Sequence, residues 1–221
     1  MTRPRAASEA FVNSLDPCTR EQLAPLYSPL IQITARPDPV DMRASDAAIF
    51  TSANGVLHGP PGQGRAAFCV GTATTAAARA KGWNAQHAGD DANGLVATIA
   101  QIAPDQRLFH LSGTHTRGNI TQRLSQAGLS TAHHAVYDQI MCPLTPDAMT
   151  CLHGGKPVIV PLFSPRTAAH FASQINDLGS AHVVALSPAV ADAIQGKLVA
   201  SLTVVPHPNA QAMGAAIATL L

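Results

Sequence analysis

The sequence predicts an α/β fold, built as two similar lobes of parallel strands covered on both faces by helices. Three observations predict it. A short apolar run, a Gly/Ser/Thr step and a helical pattern recur in that order five times. The apolar runs are nearly continuous rather than alternating, as strands buried on both faces require. Two extended stretches lead into no such step and divide the repeats into two groups.

In chain order, Leu30-Ile31-Gln32-Ile33-Thr34-Ala35-Arg36-Pro37 is the first extended stretch, ended by Pro37. The first repeat is Ala47-Ala48-Ile49-Phe50 running into Thr51-Ser52-Ala53-Asn54, and the second is Ala67-Phe68-Cys69-Val70 running into Gly71-Thr72-Ala73-Thr74. The helix after it, Ala76-Ala77-Ala78-Arg79-Ala80 before Gly82, offers mostly methyl groups and is expected to lie close to its sheet. Leu108-Phe109-His110-Leu111 runs into Ser112-Gly113-Thr114, and Ile120, Leu124 and Ala127 then form an apolar stripe ended by Gly128. His134-Ala135-Val136-Tyr137-Asp138-Gln139-Ile140 is the second extended stretch. Val158-Ile159-Val160-Pro161-Leu162-Phe163 runs into Ser164-Pro165-Arg166-Thr167, with Pro161 predicting a bulge or irregularity, since a central strand cannot spare a ladder donor. Ala168, Phe171, Ile175 and Leu178 predict the following helix, with Gly179 as its C-cap. His182-Val183-Val184-Ala185-Leu186 runs into Ser187-Pro188-Ala189-Val190. If the two extended stretches pair, near residues 31–37 and 134–141, they make a two-stranded linker. One lobe then comprises residues 1–35 plus 136–221, the other residues 36–135, and a cleft is expected between them.

Composition narrows the function. Of 221 residues, 46% are hydrophobic and only 12% charged, with net charge +1; a globular chain usually carries roughly 25% charged residues. With no Lys/Arg run, the field that gathers nucleic acid or an anionic membrane surface is missing. Cys18, Cys69, Cys142 and Cys151 stand far apart without a CxxC pair and read as reduced, mostly packing residues. No apolar run approaches the roughly 20 residues needed to cross a bilayer, and the N-terminus lacks an apolar leader, so the cytoplasm is the expected location.

In open parallel sheets the strand-to-helix turns gather at the carboxyl edge, where helix N–H groups face outward. Ser, Thr and Gly there can cap the helix, hold an anion, or do both. Several such turns imply one ligand with several carboxylates or phosphates, larger than a mononucleotide.

The same residues, in order, resemble the uroporphyrinogen-III synthase family over nearly the whole chain. Thr2-Arg3-Pro4 resembles its opening strand end, and Ser28-Pro29-Leu30 the entry to its second strand. Phe50-Thr51-Ser52-Ala53-Asn54-Gly55-Val56 is similar to its TS-x-N-x-V turn, and Val70-Gly71-Thr72-Ala73-Thr74 to its VG-x-x-T turn. Ser112-Gly113 with Arg117, then Leu124, Gly128 and Val136-Tyr137, follow its next block; Phe163-Ser164-Pro165, Pro188, Pro206, Pro208 and Ala212 complete the series. The resemblance implies two flavodoxin-like lobes joined by a two-stranded ladder, no cofactor, and a monomer. The implied substrate is the linear tetrapyrrole hydroxymethylbilane, which this lyase dehydrates and cyclises to uroporphyrinogen III with ring D inverted, in porphyrin, heme and other tetrapyrrole biosynthesis. Hand-over from hydroxymethylbilane synthase is the implied partnership.

The resemblance places Tyr137 as a phenol that protonates or orients the departing hydroxyl, against the alternative of a tyrosine packed in the linker. It places Thr74 on a carboxylate or the leaving oxygen, against that of a helix cap. Arg3, Thr51, Ser52, Gly71, Thr72, Ser112, Gly113, Arg117, Ser164 and Ser187 are its substrate-binding candidates; Arg3 and Arg117 also read as ordinary surface arginines. Besides Pro161, two features depart from the family. Ser187-Pro188-Ala189-Val190 stands where Gly-Pro-Thr-Thr is common, removing two hydroxyls. Only Met1 precedes Thr2-Arg3-Pro4, where the family usually carries several apolar residues, so the expectation is either a start codon assigned downstream of the true one or an incomplete sheet edge. A non-catalytic two-lobed module for an anionic ligand is the alternative function.

Other signals are set aside. The ten histidines lack HExxH spacing or a CxxC neighbour, so no metal site is expected and they read as surface and loop residues. Gly62-Gln63-Gly64-Arg65 precedes a strand and reads as a turn, not a nucleotide fingerprint. Gly113-Thr114-His115-Thr116-Arg117-Gly118 lacks the Walker lysine, and no GxSxG elbow is present.

Overall fold

The computed structural model describes every residue except Arg117 and Asn176. The chain divides into two compact units, a terminal one of Met1–Gln32 with Ile140–Leu221 and a central one of Ile33–Gln139. The terminal unit begins with helices α1 (Arg5–Asn13) and α2 (Pro17–Gln22), and strand β1 (Ile31–Ala35) carries the chain into the central unit. There follow β2 (Ala47–Phe50), α3 (Ala53–His58), β3 (Ala66–Val70), α4 (Thr72–Ala80), β4 (Asn84–Gly89), α5 (Ala92–Ile102), β5 (Leu108–Gly113) and α6 (Ile120–Gln126). Strand β6 (Thr131–Met141) returns the chain, and the terminal unit adds α7 (Pro146–His153), β7 (Val158–Leu162), α8 (Pro165–Gln174), β8 (Asp177–Ala185), α9 (Pro188–Asp192), β9 (Leu198–Val204) and α10 (Ala210–Ala218).

The central sheet has the order β1-β6-β5-β2-β3-β4. The pairs β2–β3, β3–β4, β2–β5 and β5–β6 are parallel. The β1–β6 pair runs the other way, with Cys142 N–H on Leu30 O and Arg36 N–H on Val136 O. Within β2, Ala48 and Phe50 pack on one face with Val56, Ala78 and Leu111, while Ala47 and Ile49 pack on the other with Leu95, Ile99 and Leu124. Helices α3 and α4 therefore cover one face and α5 and α6 the other. Winding reverses between β2 and β5, which makes that boundary the unit's switch point.

The terminal sheet runs β7-β8-β9, all parallel. Leu162, Val183 and Ala185 pack with Ala168, Phe171 and Val190 on one face; Val184 and Val205 pack with Phe11, Leu15, Met213 and Ile217 on the other. Met1 and Thr2 run along the free side of β7. The Ser28 and Leu30 N–H groups donate to Met1 O and Thr2 O at 2.9 and 3.0 Å, and Thr2 Oγ1 donates to Pro161 O at 3.3 Å. Pro4 then opens α1 on the face opposite α8, so a second change of winding lies between Thr2–Pro4 and the end of β7.

Four expectations are corrected. Pro161 causes no bulge: β7 pairs with β8 in unbroken register from Val158↔Ala181 to Leu162↔Ala185, because β7 is an edge strand and Pro161 needs no ladder donor on its outer side. Helix α8 stops at Gln174, and Leu178 and Gly179 belong to β8, so Gly179 caps no helix. His110 is not a surface histidine but lies 3% exposed inside β5. Of the four free cysteines only Cys69 is buried, while Cys18 and Cys151 are exposed. Two strand-to-helix units escaped the sequence reading: β4–α5, whose polar Asn84, Gln86 and His87 hide the strand, and β9–α10. Gln63 and Gly64 form the expected turn, with φ of 53° and 78°. Among the described residues no helix is long and apolar enough to cross a membrane.

Candidate active site

At the central switch point β2 ends in Thr51-Ser52 and β5 in Ser112-Gly113, so four candidates lie at neighbouring strand ends. Ser52 is the N-cap of α3, its hydroxyl accepting from the Asn54 N–H at 3.2 Å. The Tyr137 phenol lies near the Ser52 hydroxyl and the Gly113 backbone N–H, both of which favour its ionised form. A Cβ on Gly113 would stand 2.5 Å from the Tyr137 ring, so only glycine allows this approach. Tyr137 is 5% exposed. Burial pushes its phenol above the ordinary value, against the opposing pull of Gly113 and Ser52, so it stays protonated at any physiological pH. The His58 ring, at the end of α3, lies 5.7 Å from the Tyr137 ring. Burial first, then the nearby Lys81 charge, hold His58 below its ordinary value. Lys81 in turn donates its ammonium to the Val56, Leu57 and Gly59 carbonyls, closing the C-terminal end of α3.

A parallel β-bulge aims Tyr137 at this face. Ser112 pairs with Ala135, but Gly113 pairs with Tyr137, so Val136 is an extra residue on β6. Without it Tyr137 would share the face of His133 and Ala135. On that opposite face, Ser112 Oγ lies 2.8 Å from His133 Nε2, and Thr51 Oγ1 lies 3.2 Å from His110 Nε2. Burial, and secondarily His133, push His110 down to about 4.

One strand further along, β3 ends at Gly71, the N-cap of α4, whose φ of 74° suits glycine. Thr72 is exposed, whereas Thr74 is 7% exposed in the first turn of α4 and is not its cap. Its neighbour Thr75 donates Oγ1–H to Gly71 O at 2.9 Å.

In the terminal unit, Ser164 caps α8, accepting from the Thr167 N–H at 3.2 Å. The Arg3 guanidinium lies 4.7 Å from the centre of the Phe163 ring, and burial disfavours its charge. Arg3 and Ser164 thus flank the terminal unit's change of winding. Ser187 is the N-cap of α9 by position but makes no side-chain cap bond, and Pro188 and Ala189 after it carry no hydroxyl. Arg117 lies outside the described residues. A mostly apolar cavity of about 400 Å³ is elsewhere in this unit, lined by Met1, Leu23, Leu26, Leu152 and Val158 among others, and Arg3, Ser164 and Ser187 do not line it. Among the described residues no three His, Cys, Asp or Glu side chains are placed to hold a metal ion.

The sequence reading missed the histidine pair and the bulge. A histidine in an apolar β5 run, two residues before a strand-end serine, was the available signal for the first; the second leaves none, because Val136 reads like any strand residue.

The fold and the sequence both have known counterparts. The uroporphyrinogen-III synthetase of Helicobacter pylori superimposes with a TM-score of 0.70 at 17% identity, over 87% of this chain and 91% of that one. A mutant uroporphyrinogen III synthase of the extremely thermophilic bacterium Thermus thermophilus gives 0.51 at 14% identity, over 100% and 97%. No curated protein sequence matches the chain. The family model for uroporphyrinogen-III synthase HemD matches residues 16–215. With nine-tenths of its length matched by that model, the chain belongs to the uroporphyrinogen-III synthase family.

Proposed function

We propose that the chain is a uroporphyrinogen-III synthase, a lyase that closes hydroxymethylbilane to uroporphyrinogen III. The observation that carries this reading is the contact of a buried, neutral Tyr137 phenol with Ser52 and the Gly113 N–H at the central switch point, where open α/β sheets bind ligands. The strand-end hydroxyls and N–H groups of Thr51, Ser52, Gly71, Thr72, Ser164 and Ser187 hold the acetate and propionate carboxylates, with Arg3 and Arg117 as cationic partners, while Ser112, whose hydroxyl donates to the Gly113 carbonyl, and Gly113 shape the site behind Tyr137. Such a site needs little net positive charge, in keeping with a formal +1.

The chemistry asks for positioning more than for a strong acid. Electron push from the pyrrole nitrogen expels the hydroxymethyl hydroxyl, which leaves as water once Tyr137 supplies a proton, with Thr74 on the leaving oxygen or a nearby carboxylate. The azafulvene left behind is attacked by the substituted carbon of ring D. The resulting spiro-pyrrolenine breaks the bond from that carbon to its original methylene bridge, and the freed bridge recloses on the unsubstituted α-carbon of ring D, which loses the proton that restores the phenol, leaving ring D inverted. Uncatalysed closure gives isomer I, so the protein's main contribution is a held substrate shape. The reading extends to a cytoplasmic monomer fed by hydroxymethylbilane synthase.

The absent hydroxyls at Ala189 and Val190 favour a second reading, a non-catalytic module that binds an anionic tetrapyrrole. Enzymatically generated hydroxymethylbilane, given to the purified protein with product isomers separated, decides between them. Isomer III above the spontaneous rate supports the synthase; isomer I alone, at the spontaneous rate, supports the module.

A further inference from the structure

The bulge that aims Tyr137 also breaks the β5–β6 ladder beside it, since the regular pairing that runs from Leu108↔Thr131 to Ser112↔Ala135 skips Val136 before Gly113↔Tyr137. His133 spans this break from the opposite face. Its Nε2 lies 2.8 Å from Ser112 Oγ, and burial holds the ring below its ordinary pKa, so it is neutral and has one N–H to give. Ser112 Oγ itself donates to the Gly113 carbonyl at 3.2 Å. This assigns the tautomer: Nε2 carries the proton, and Ser112 Oγ accepts it. The His133 ring is backed by His110, 5.6 Å away, which is anchored to Thr51. A line of four side chains therefore crosses β2, β5 and β6 at the switch point and ends on the residue whose N–H lies near the phenol.

We propose that His133 is a positioning residue for Tyr137: by holding the Ser112 hydroxyl, which is bonded to the Gly113 carbonyl, beside the β5–β6 bulge, it fixes Gly113 and its N–H against the Tyr137 ring. It acts through Gly113 and touches no reacting atom. Past the bulge the two strands keep one backbone bond, from the Thr114 N–H to the Tyr137 carbonyl at 3.1 Å, and the side-chain staple holds the same β5 end from the opposite face. The inference rests on the reading of Tyr137 as the proton donor.

The test compares His133→Gln, whose amide nitrogen reaches the place of Nε2, with His133→Asn, whose amide stops short of it. Both are made in a Tyr27→Phe background, which leaves Tyr137 as the only tyrosine, since the chain has two. Phenolate absorbance then gives the Tyr137 titration midpoint, and steady-state kinetics give kcat and KM. Because the Gly113 N–H favours the phenolate, its loss in His133→Asn raises the midpoint by about half a unit or more. The same variant loses about tenfold in kcat with KM little changed, while His133→Gln recovers most of both. No change in His133→Asn, or equal change in the two variants, overturns the proposal. If the parent protein makes only isomer I, the synthase reading falls, and the titration still decides the staple.

Discussion

Burial decides what the two most informative side chains can do. Tyr137 is held neutral by desolvation yet keeps two polar neighbours on its oxygen, Ser52 and the Gly113 N–H, an arrangement that suits donation to a departing hydroxyl. Tyr137→Phe is expected to lower kcat about tenfold or more with KM nearly unchanged; unaltered turnover would remove the chemical role and leave the fold and substrate reading standing. His110 takes its proton near 4 in the folded chain against the ordinary 6.5. Between those values the unfolded chain binds the extra proton, so stability is complete above about pH 6.5 and declines as the pH falls toward 4, by at most about 3 kcal/mol. Denaturant titrations at several pH values should show that decline, and His110→Asn, which keeps a polar partner for Thr51, should flatten it. Parallel profiles in the two proteins would contradict the assignment.

At the level of elements, a helix cap and a ligand site compete for the same serine. Ser164 caps α8 by its bond from the Thr167 N–H. Ser164→Asp keeps that cap, so stability should stay within about 0.5 kcal/mol of the parent, whereas Ser164→Ala should lose about 1 kcal/mol. If Ser164 also meets a carboxylate, the added negative charge raises KM severalfold; an unchanged KM would leave it a cap only. The elements differ in how visible they were in advance. The units β2–α3, β3–α4 and β7–α8 were legible because apolar runs meet Ser, Thr or Gly at their ends. Strand β4 was not, since its alternating polar residues follow from an edge position in the central sheet. Leu178 and Gly179 misled because Ile175 and Leu178 keep helical spacing past the end of α8 at Gln174, although both are buried in the core from outside any helix. Of the candidate site, the strand-end hydroxyls could be placed from sequence; the bulge at Val136, which decides the face Tyr137 occupies, could not, because one inserted apolar residue leaves the strand pattern readable.

Across the whole molecule, a net charge of +1 is set against the many carboxylates of the proposed substrate. Recognition by hydroxyls and backbone N–H groups predicts a shallow salt response, with KM rising less than about threefold from about 50 to about 200 mM NaCl. A steep rise would instead point to arginine and lysine side chains as the principal contacts. The central claim is that strand-end groups mould the tetrapyrrole, and a crystal structure with uroporphyrinogen III bound tests it most directly. The account predicts product carboxylates on the N–H and hydroxyl groups at the ends of β2, β3 and β7, with the Tyr137 oxygen facing the macrocycle. Product bound away from those strand ends, as in the apolar cavity beside Met1, Leu23 and Val158, would contradict it.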